Sequence, residues 1–236
     1  VKDSQEAGIS VKMITGDHKD TAQAIGEQVG LKHTKKVLEG LEIDVMSDEE
    51  LAQHVQKVDV FARTTPEHKL RIVTALQNNG EIVGMTGDGV NDAPALKKAD
   101  VGIAMGIKGS EVTKQAADMV LADDNFHTIA KAVKEGRRIF DNLKKTITFF
   151  LPTSLAQGLI VVWALLMNHP LPLTPVQILW VNMVTTITLS YALGFEKASA
   201  DTMKRPPRDV NEGILKKYSI FRIVDVSVLI MVPGYL

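Results

Sequence analysis

Two short loops of this chain join carboxylates to glycines in a pattern suited to phosphate and a hard cation. One reads Thr86-Gly-Asp-Gly-Val-Asn-Asp92 and the other Thr15-Gly-Asp-His18. Asp88 and Asp92 lie four positions apart, so both could converge on one Mg²⁺, an ion that takes carboxylate oxygens, waters and a phosphate oxygen. Gly87 and Gly89 would let backbone amides approach the same anion. Lys69, one turn into a helix opened by Pro66, offers a point charge for a phosphoryl group. A lone Thr-Gly-Asp is an ordinary turn, whereas the 86–92 loop gathers three polar residues, two glycines and a strand boundary in seven positions. His18 and His68 read as solvated helix-start residues, with no histidine at i+4 and no cysteine to make a metal site. Glu39, Glu42, Asp44, Asp48, Glu49 and Glu50 read as a solvated acidic face.

The elements around these loops must place them at one edge of a sheet. Short β-branched runs at 10–14, 58–62, 81–85, 101–105 and 119–122 predict five strands. Helical patterns at 21–29, 48–57, 66–78 and 93–99 alternate with them, with a capping box at Ser47 and Glu50 and a Thr65-Pro66 helix start. Near-continuous apolar strands alternating with helices predict an α/β fold with a parallel sheet covered on both faces. In such sheets ligands sit beyond the carboxyl ends of the strands, where both acidic loops fall.

Composition limits the alternatives. With 27 Lys plus Arg against 28 Asp plus Glu, no bulk charge draws the chain to nucleic acid, and zero cysteines exclude a disulfide scaffold or a thiolate site. The charges are unevenly placed. None falls within residues 146–195, where average composition would put about one in four. Near Asn168-His169-Pro170 the stretch divides into pieces at 146–167 and 173–195, each long enough to span a bilayer as a helix. Lys131, Lys134, Arg137, Arg138, Lys144 and Lys145 precede this hairpin, and Lys197, Lys204, Arg205 and Arg208 follow it, which predicts that both ends face the cytoplasm. Apolar spacing from Phe126 to Leu143 continues into the first span, predicting one long helix that couples the sheet to the membrane. A last apolar run, 226–236, is too short to span, and the opening Val1 carries no signal peptide, so the chain reads as a fragment.

The stretch Thr86-Gly-Asp-Gly-Val-Asn-Asp-Ala-Pro-Ala-Leu-Lys-Lys-Ala-Asp100, followed by Val101-Gly-Ile-Ala-Met-Gly106, closely resembles the hinge sequence of P-type cation-transporting ATPases. Met13-Ile-Thr-Gly-Asp17 and Pro66-Glu-His-Lys69 resemble two further motifs of that family's phosphorylation domain. Leu179-Trp-Val-Asn-Met-Val-Thr185, Ala192-Leu-Gly-Phe195 and Arg205-Pro-Pro-Arg208 are similar to the sixth membrane helix and following loop of the calcium-pump branch. The resemblance implies that residues 1–124 are part of a haloacid-dehalogenase-like phosphorylation domain and 125–145 a stalk helix. It further implies membrane helices equivalent to the fifth and sixth at 146–195, a cytoplasmic loop at 196–220 and the start of a seventh helix at 221–236. No Asp-Lys-Thr-Gly-Thr occurs, so the phosphorylated aspartate, the actuator, the nucleotide-binding domain and helices one to four would belong to other parts of the pump, and the chain alone should not turn over ATP.

The resemblance also implies roles. Asp88 would hold Mg²⁺, Asn91 and Asp92 would organise that site, Lys69 would neutralise the transferring phosphoryl group, and Thr15, Gly16 and Asp17 would bind its oxygens. ATP is the implied substrate and Ca²⁺ the cation suggested by the branch. In the membrane, Ser154, Gln157, Asn182, Thr185 and Thr186 fall at ion-ligand positions, with Thr186 and Gln157 where calcium pumps of this type carry carboxylates. Uncharged groups there imply a different ion count or identity, or a carboxylate from another helix. Pro152 frees a backbone carbonyl that could serve as a further ligand. The blander alternative is that these groups only hydrogen-bond between helices. Competing readings of the whole are a membrane-tethered phosphatase of the same sheet family and a non-catalytic membrane module.

Overall fold

The computed structural model describes residues 1–209 and 212–235. They form two compact units, one of residues 1–132 with 203–207, the other of 133–202 with 208–236.

The first unit opens with α1 (Lys2–Glu6) and then alternates strands and helices: β1 (Met13–Ile14), α2 (Lys19–Gln28), β2 (Val37–Glu39), α3 (Gly40–Val45), α4 (Asp48–Val55), β3 (Val60–Ala62) and α5 (Pro66–Asn78). β4 (Gly84–Gly87), a 3-10 turn (Val90–Asp92), α6 (Ala93–Lys98), β5 (Val101–Met105), α7 (Glu111–Ala116) and β6 (Met119–Leu121) follow. All strand pairs are parallel, as near-continuous apolar runs demand. They build two three-stranded sheets, ordered β1-β3-β2 and β4-β5-β6, where one sheet was expected. The reason is local: among the described residues β1 pairs only with β3 and β4 only with β5, so each sheet ends on the strand that leads into an acidic loop. Among the described residues no strand bridges those two edges.

Helix α5 is the element common to both sheets. Its Ile72 and Ala75 are buried with Leu38, Ile43, Leu51, Val55, Val58 and Phe61 against the first sheet. Val73, on the other side, joins Val83, Met85, Ala95 and Leu96 against the second. Leu76 touches both clusters. The helix 66–78 and the strand 101–105 match their predicted bounds, and the Ser47–Glu50 capping box is formed. β2, α3 and α7 were not foreseen, because elements of three to six residues are too short to show a period.

At the opposite ends of β1 and β3, Asp59 is buried. Its carboxylate accepts from Lys12 Nζ at 3.0 Å and the His33 backbone N–H at 3.0 Å, while Lys12 also donates to the Val58 carbonyl at 2.8 Å. Burial pushes the Asp59 carboxyl up, but the Lys12 ammonium and the His33 amide together hold it below its ordinary value.

Helix α8 (Phe126–Leu166) continues from the first unit into the second and contains Pro152. α9 (Pro175–Thr185), a π-helical turn (Thr186–Ser190), α10 (Tyr191–Gly194) and α11 (Lys217–Tyr235) complete the chain. Among the described residues two helical stretches are long and apolar enough to cross a membrane, Phe126–Leu166 and Pro175–Gly194. Leu166, Val176, Leu179 and Trp180 are exposed, as expected of side chains that meet lipid rather than a protein core. Within this unit the segment after α10 is tied to α8: Asn142 Nδ2 donates to the Gly194 and Glu196 carbonyls at 3.1 and 2.9 Å, and Lys145 pairs with Glu196 at 2.7 Å. α11 begins earlier than the predicted apolar run and includes Arg222 and Asp225. On its buried side Ser227 Oγ reaches the Pro152 carbonyl at 3.1 Å.

Candidate phosphoryl site and the membrane polar residues

Asp92 organises the loop after β4. It is 6% exposed, and its side chain packs so closely under Gly87 that a Cβ there would lie 2.8 Å from both Asp92 Cγ and Oδ2. Glycine at 87 is therefore a packing requirement. Asp92 Oδ1 accepts from Lys69 Nζ at 2.6 Å, and Oδ2 accepts from the backbone N–H groups of Asp88 and Gly89, both at 3.3 Å. With an ammonium on one oxygen and two amides on the other, Asp92 is a structural acceptor, not a free ligand. The expectation that Asp88 and Asp92 together face one cation is corrected on that ground. Asp88 is exposed, and its side chain has no hydrogen-bond or ion-pair partner among the described residues. Its carbonyl accepts from the Ser110 N–H at 3.0 Å, which docks the loop onto the capped start of α7. Asn91 is exposed beside it, also without a side-chain partner.

The loop after β1 is built differently. Thr15 Oγ1 donates to Asp17 Oδ2 at 2.9 Å and accepts from the Asp17 N–H at 3.1 Å, closing a tight turn with Gly16 exposed at its tip. Thr64 braces that turn through its N–H and Oγ1, both donating to the Thr15 carbonyl at 3.1 and 3.0 Å. Arg63 N–H donates to the Asp17 carbonyl at 3.0 Å with a φ of 49°, an uncommon left-handed conformation for a side chain this long. The 15–17 loop thus rests on the approach to α5, and the 86–92 loop rests on α5 through Lys69. No hydrogen bond or ion pair joins the two loops directly among the described residues. Thr64 acts only through bonds that span the fold, 49 positions apart, so no local pattern marks it, whereas Ser110 carries a local signal as the N-cap of α7.

Two expectations about the surroundings change. His68 is not solvated: it is 4% exposed, with Nε2 2.7 Å from Asp44 Oδ1 and Nδ1 accepting the Thr65 N–H at 3.1 Å. His18 stays exposed and caps α2 through its Nδ1. Nor is the acidic face simply solvated. Glu42 caps α3 at the Glu39 N–H, Asp44 holds His68, and Asp48 accepts from Arg71, which also donates to the Ile43 and Met46 carbonyls. These carboxylates stay exposed, and of the three only Asp48 meets an opposite charge on α5, that of Arg71.

In the second unit Ser154 and Gln157 lie on α8, and Asn182 and Thr185 on α9, while Thr186 opens the π-helical turn. Thr185 Oγ1 donates to its own helix at the Val181 carbonyl, 2.7 Å away. The side chains of Ser154, Gln157, Asn182 and Thr186 make no hydrogen bond among the described residues, so no polar contact draws the five together. Pro152 lacks the N–H that would bond the Thr148 carbonyl four positions back in α8, so that carbonyl is the one it frees.

Haloacid dehalogenase-like hydrolase families match residues 1–100 and 70–133, and the family described as cation transporting ATPase, C-terminus, matches residues 170–235. Over 237 aligned residues the chain is 48% identical to the calcium-transporting ATPase of Bacillus subtilis (strain 168), covering 100% of this chain and 27% of that protein. It is 50% identical to the probable cation-transporting ATPase F of Mycobacterium tuberculosis (strain ATCC 25618 / H37Rv), over 97% of this chain and 26% of the other. The human calcium-transporting ATPase type 2C member 1 is 47% identical over 98% of this chain and 25% of its own length. The chain belongs to the P-type cation-transporting ATPases.

It spans about a quarter of the length of the P-type ATPases it matches. Its α/β unit is the haloacid-dehalogenase-like part of that family and its apolar helices the membrane part. The Mg²⁺ this family implies fits the donors present. Asp88 is an exposed carboxylate with both oxygens open, and Mg²⁺ commonly takes one or two carboxylates and completes its shell with waters and phosphate oxygens. Among the described residues no three His, Asp or Glu side chains group so as to hold a metal ion.

Proposed function

We propose that this chain is a segment of an ATP-driven cation pump that works through an aspartyl-phosphate, with the phosphorylated aspartate supplied from outside these 236 residues. The observation that carries the reading is the asymmetry of the Asp88–Asp92 pair. One carboxylate is locked onto Lys69 and two loop amides, while the other stands open beside it. A phosphoryl site needs both features, a fixed positive charge and an open hard-oxygen ligand, and a merely structural turn needs only the first.

In this reading Asp92 holds the Lys69 ammonium where charge gathers on the phosphoryl oxygens, and the 86–89 backbone is kept in shape by the same carboxylate. Gly16 offers its N–H to the phosphoryl oxygens, and the Thr15 hydroxyl, whose one proton is donated to Asp17, offers it on turning from that carboxylate. Asp88 and Asn91 hold Mg²⁺, which when bound would neutralise phosphoryl charge. ATP is the phosphoryl donor to the whole pump.

For the membrane unit the reading is a multi-pass segment whose helices run from the cytoplasm and back, with residues 1–145 and 196–220 cytoplasmic. Ser154, Gln157, Asn182, Thr185 and Thr186 provide neutral ligands for the transported cation. Support comes from polar side chains left without partners on apolar helices and from the π-helical turn at Thr186, since such turns often mark functional positions. Calcium is the cation named for the Bacillus and human relatives, and we adopt it as the first ion to test.

The test is acid-stable phosphoenzyme formed by the full-length pump from ATP with Mg²⁺. Lys69→Ala should lower its level by about tenfold or more. A wild-type level in that variant would refute the assignment of the site.

A further inference from the structure

Lys69 reaches Asp92 from the first turn of α5, and the residue before it is held on both sides. Thr65 and His68 close a reciprocal cap: Thr65 Oγ1 accepts the His68 N–H at 3.3 Å, and His68 Nδ1 accepts the Thr65 N–H at 3.1 Å. A ring nitrogen that accepts carries no proton, so the proton sits on Nε2 and is donated to Asp44 Oδ1 at 2.7 Å. The imidazole is therefore the neutral Nε2–H tautomer, wedged under Gly40, where a Cβ would lie 2.7 Å from both Cε1 and Nδ1 of the ring. Glutamate or glutamine at this cap position would satisfy Thr65, but histidine also spans to a carboxylate on α3. Two turns of contact with α3 result, because Arg71, one turn along α5, grips the Ile43 and Met46 carbonyls.

We propose that His68 is a positioning residue for Lys69, fixing the first turn of α5 against α3 so that the ammonium stands at Asp92. The proposal rests on the phosphoryl-site reading of Lys69. His68 itself touches neither Lys69 Nζ nor any reacting atom; it acts through the backbone of the turn they share. Misplacing a charged group by about 1 Å can cost about a hundredfold in a reaction built on positioning.

The experiment is equilibrium phosphorylation of the full-length pump by inorganic phosphate with Mg²⁺, read as the apparent affinity for phosphate. His68→Ala should weaken that affinity about tenfold. His68→Gln, which keeps an acceptor for Thr65 and a donor for Asp44, should stay within about threefold of wild type. Asp44→Ala leaves the cap in place and should give an intermediate loss, which keeps the idea testable if His68→Ala folds poorly. The decisive arm is the pair His68→Ala with Lys69→Ala. If His68 acts through Lys69, the double variant binds phosphate no more weakly than Lys69→Ala alone. Additive losses would overturn the proposal, as would wild-type affinity in both His68→Ala and Asp44→Ala while Lys69→Ala is impaired. Should Lys69→Ala itself be silent, the phosphoryl-site reading falls and the proposal with it.

Discussion

The loop at 86–92 and the polar residues on α8 and α9 contrast in how complete they are. In the first, Asp92 has both oxygens occupied, Lys69 is pinned and Asp88 is the carboxylate left open, beside Asn91. In the second, four of the five polar side chains have no partner among the described residues and the fifth bonds its own helix. Preorganised charge can be assembled from one loop and one helix, because an ion pair and two amides suffice to fix it. Neutral ligands for an ion cannot be fixed that way, since each hydroxyl or amide supplies little and several helices must converge.

The sharpest way to break this comparison is Asp88→Asn in the full-length pump. Removing the one open carboxylate should cut Mg²⁺-dependent phosphoenzyme by about a hundredfold or more, measured as acid-stable phosphoprotein. Retained activity would make the 86–92 loop as incomplete as the membrane residues. Gly87→Ala comes next, since its Cβ would press on Asp92 and displace the Lys69 pair. A loss of phosphoenzyme between tenfold and a hundredfold is expected, with membrane insertion and expression unchanged. Gln157→Ala probes the other side of the contrast. Transport assays over a range of Ca²⁺ should show about a tenfold weaker apparent affinity, roughly 1.4 kcal/mol, and unchanged affinity would leave Gln157 without a ligand role.

A last prediction, on stability rather than activity, concerns a carboxylate at the end of β1 and β3 opposite the 15–17 loop. Because Asp59 is held below its ordinary value, it stabilises the folded state at pH above about 4, and that contribution is lost as pH falls through its depressed folded value. Asp59→Asn should therefore lower stability near neutral pH by about 1–3 kcal/mol and flatten the acid limb of the stability curve. Hydrogen exchange at the β1 and β3 amides between pH 3 and 6 would report it. A variant with the same acid limb as wild type would mean that the Lys12 and His33 bonds do not set the carboxyl.

Much of the candidate site's layout was readable because its parts are close in sequence. Asp88, Asn91 and Asp92 share one loop, and the Thr65-Pro66 start announces α5 and hence the level of Lys69. What could not be read was which carboxylate is open. Asp88 and Asp92 are identical side chains, and only the pairing of Lys69 across 23 positions distinguishes them. His68 shows the same limit. A histidine at a helix start is usually solvated, and only α3, itself too short to foresee, brings Asp44 to it.

By itself the sequence determined the alternation of strands and helices, the charge-free stretch that makes two helices apolar enough for lipid, and the chemical types present in each loop. These depend on neighbours within a few positions, where periodicity and turn chemistry act. Tertiary structure alone decided that the strands part into two sheets joined by α5, that Asp92 is spent on Lys69, and that His68 is buried. Each of those outcomes is a competition for hydrogen-bond partners and edges among distant segments, and no local pattern records who wins it.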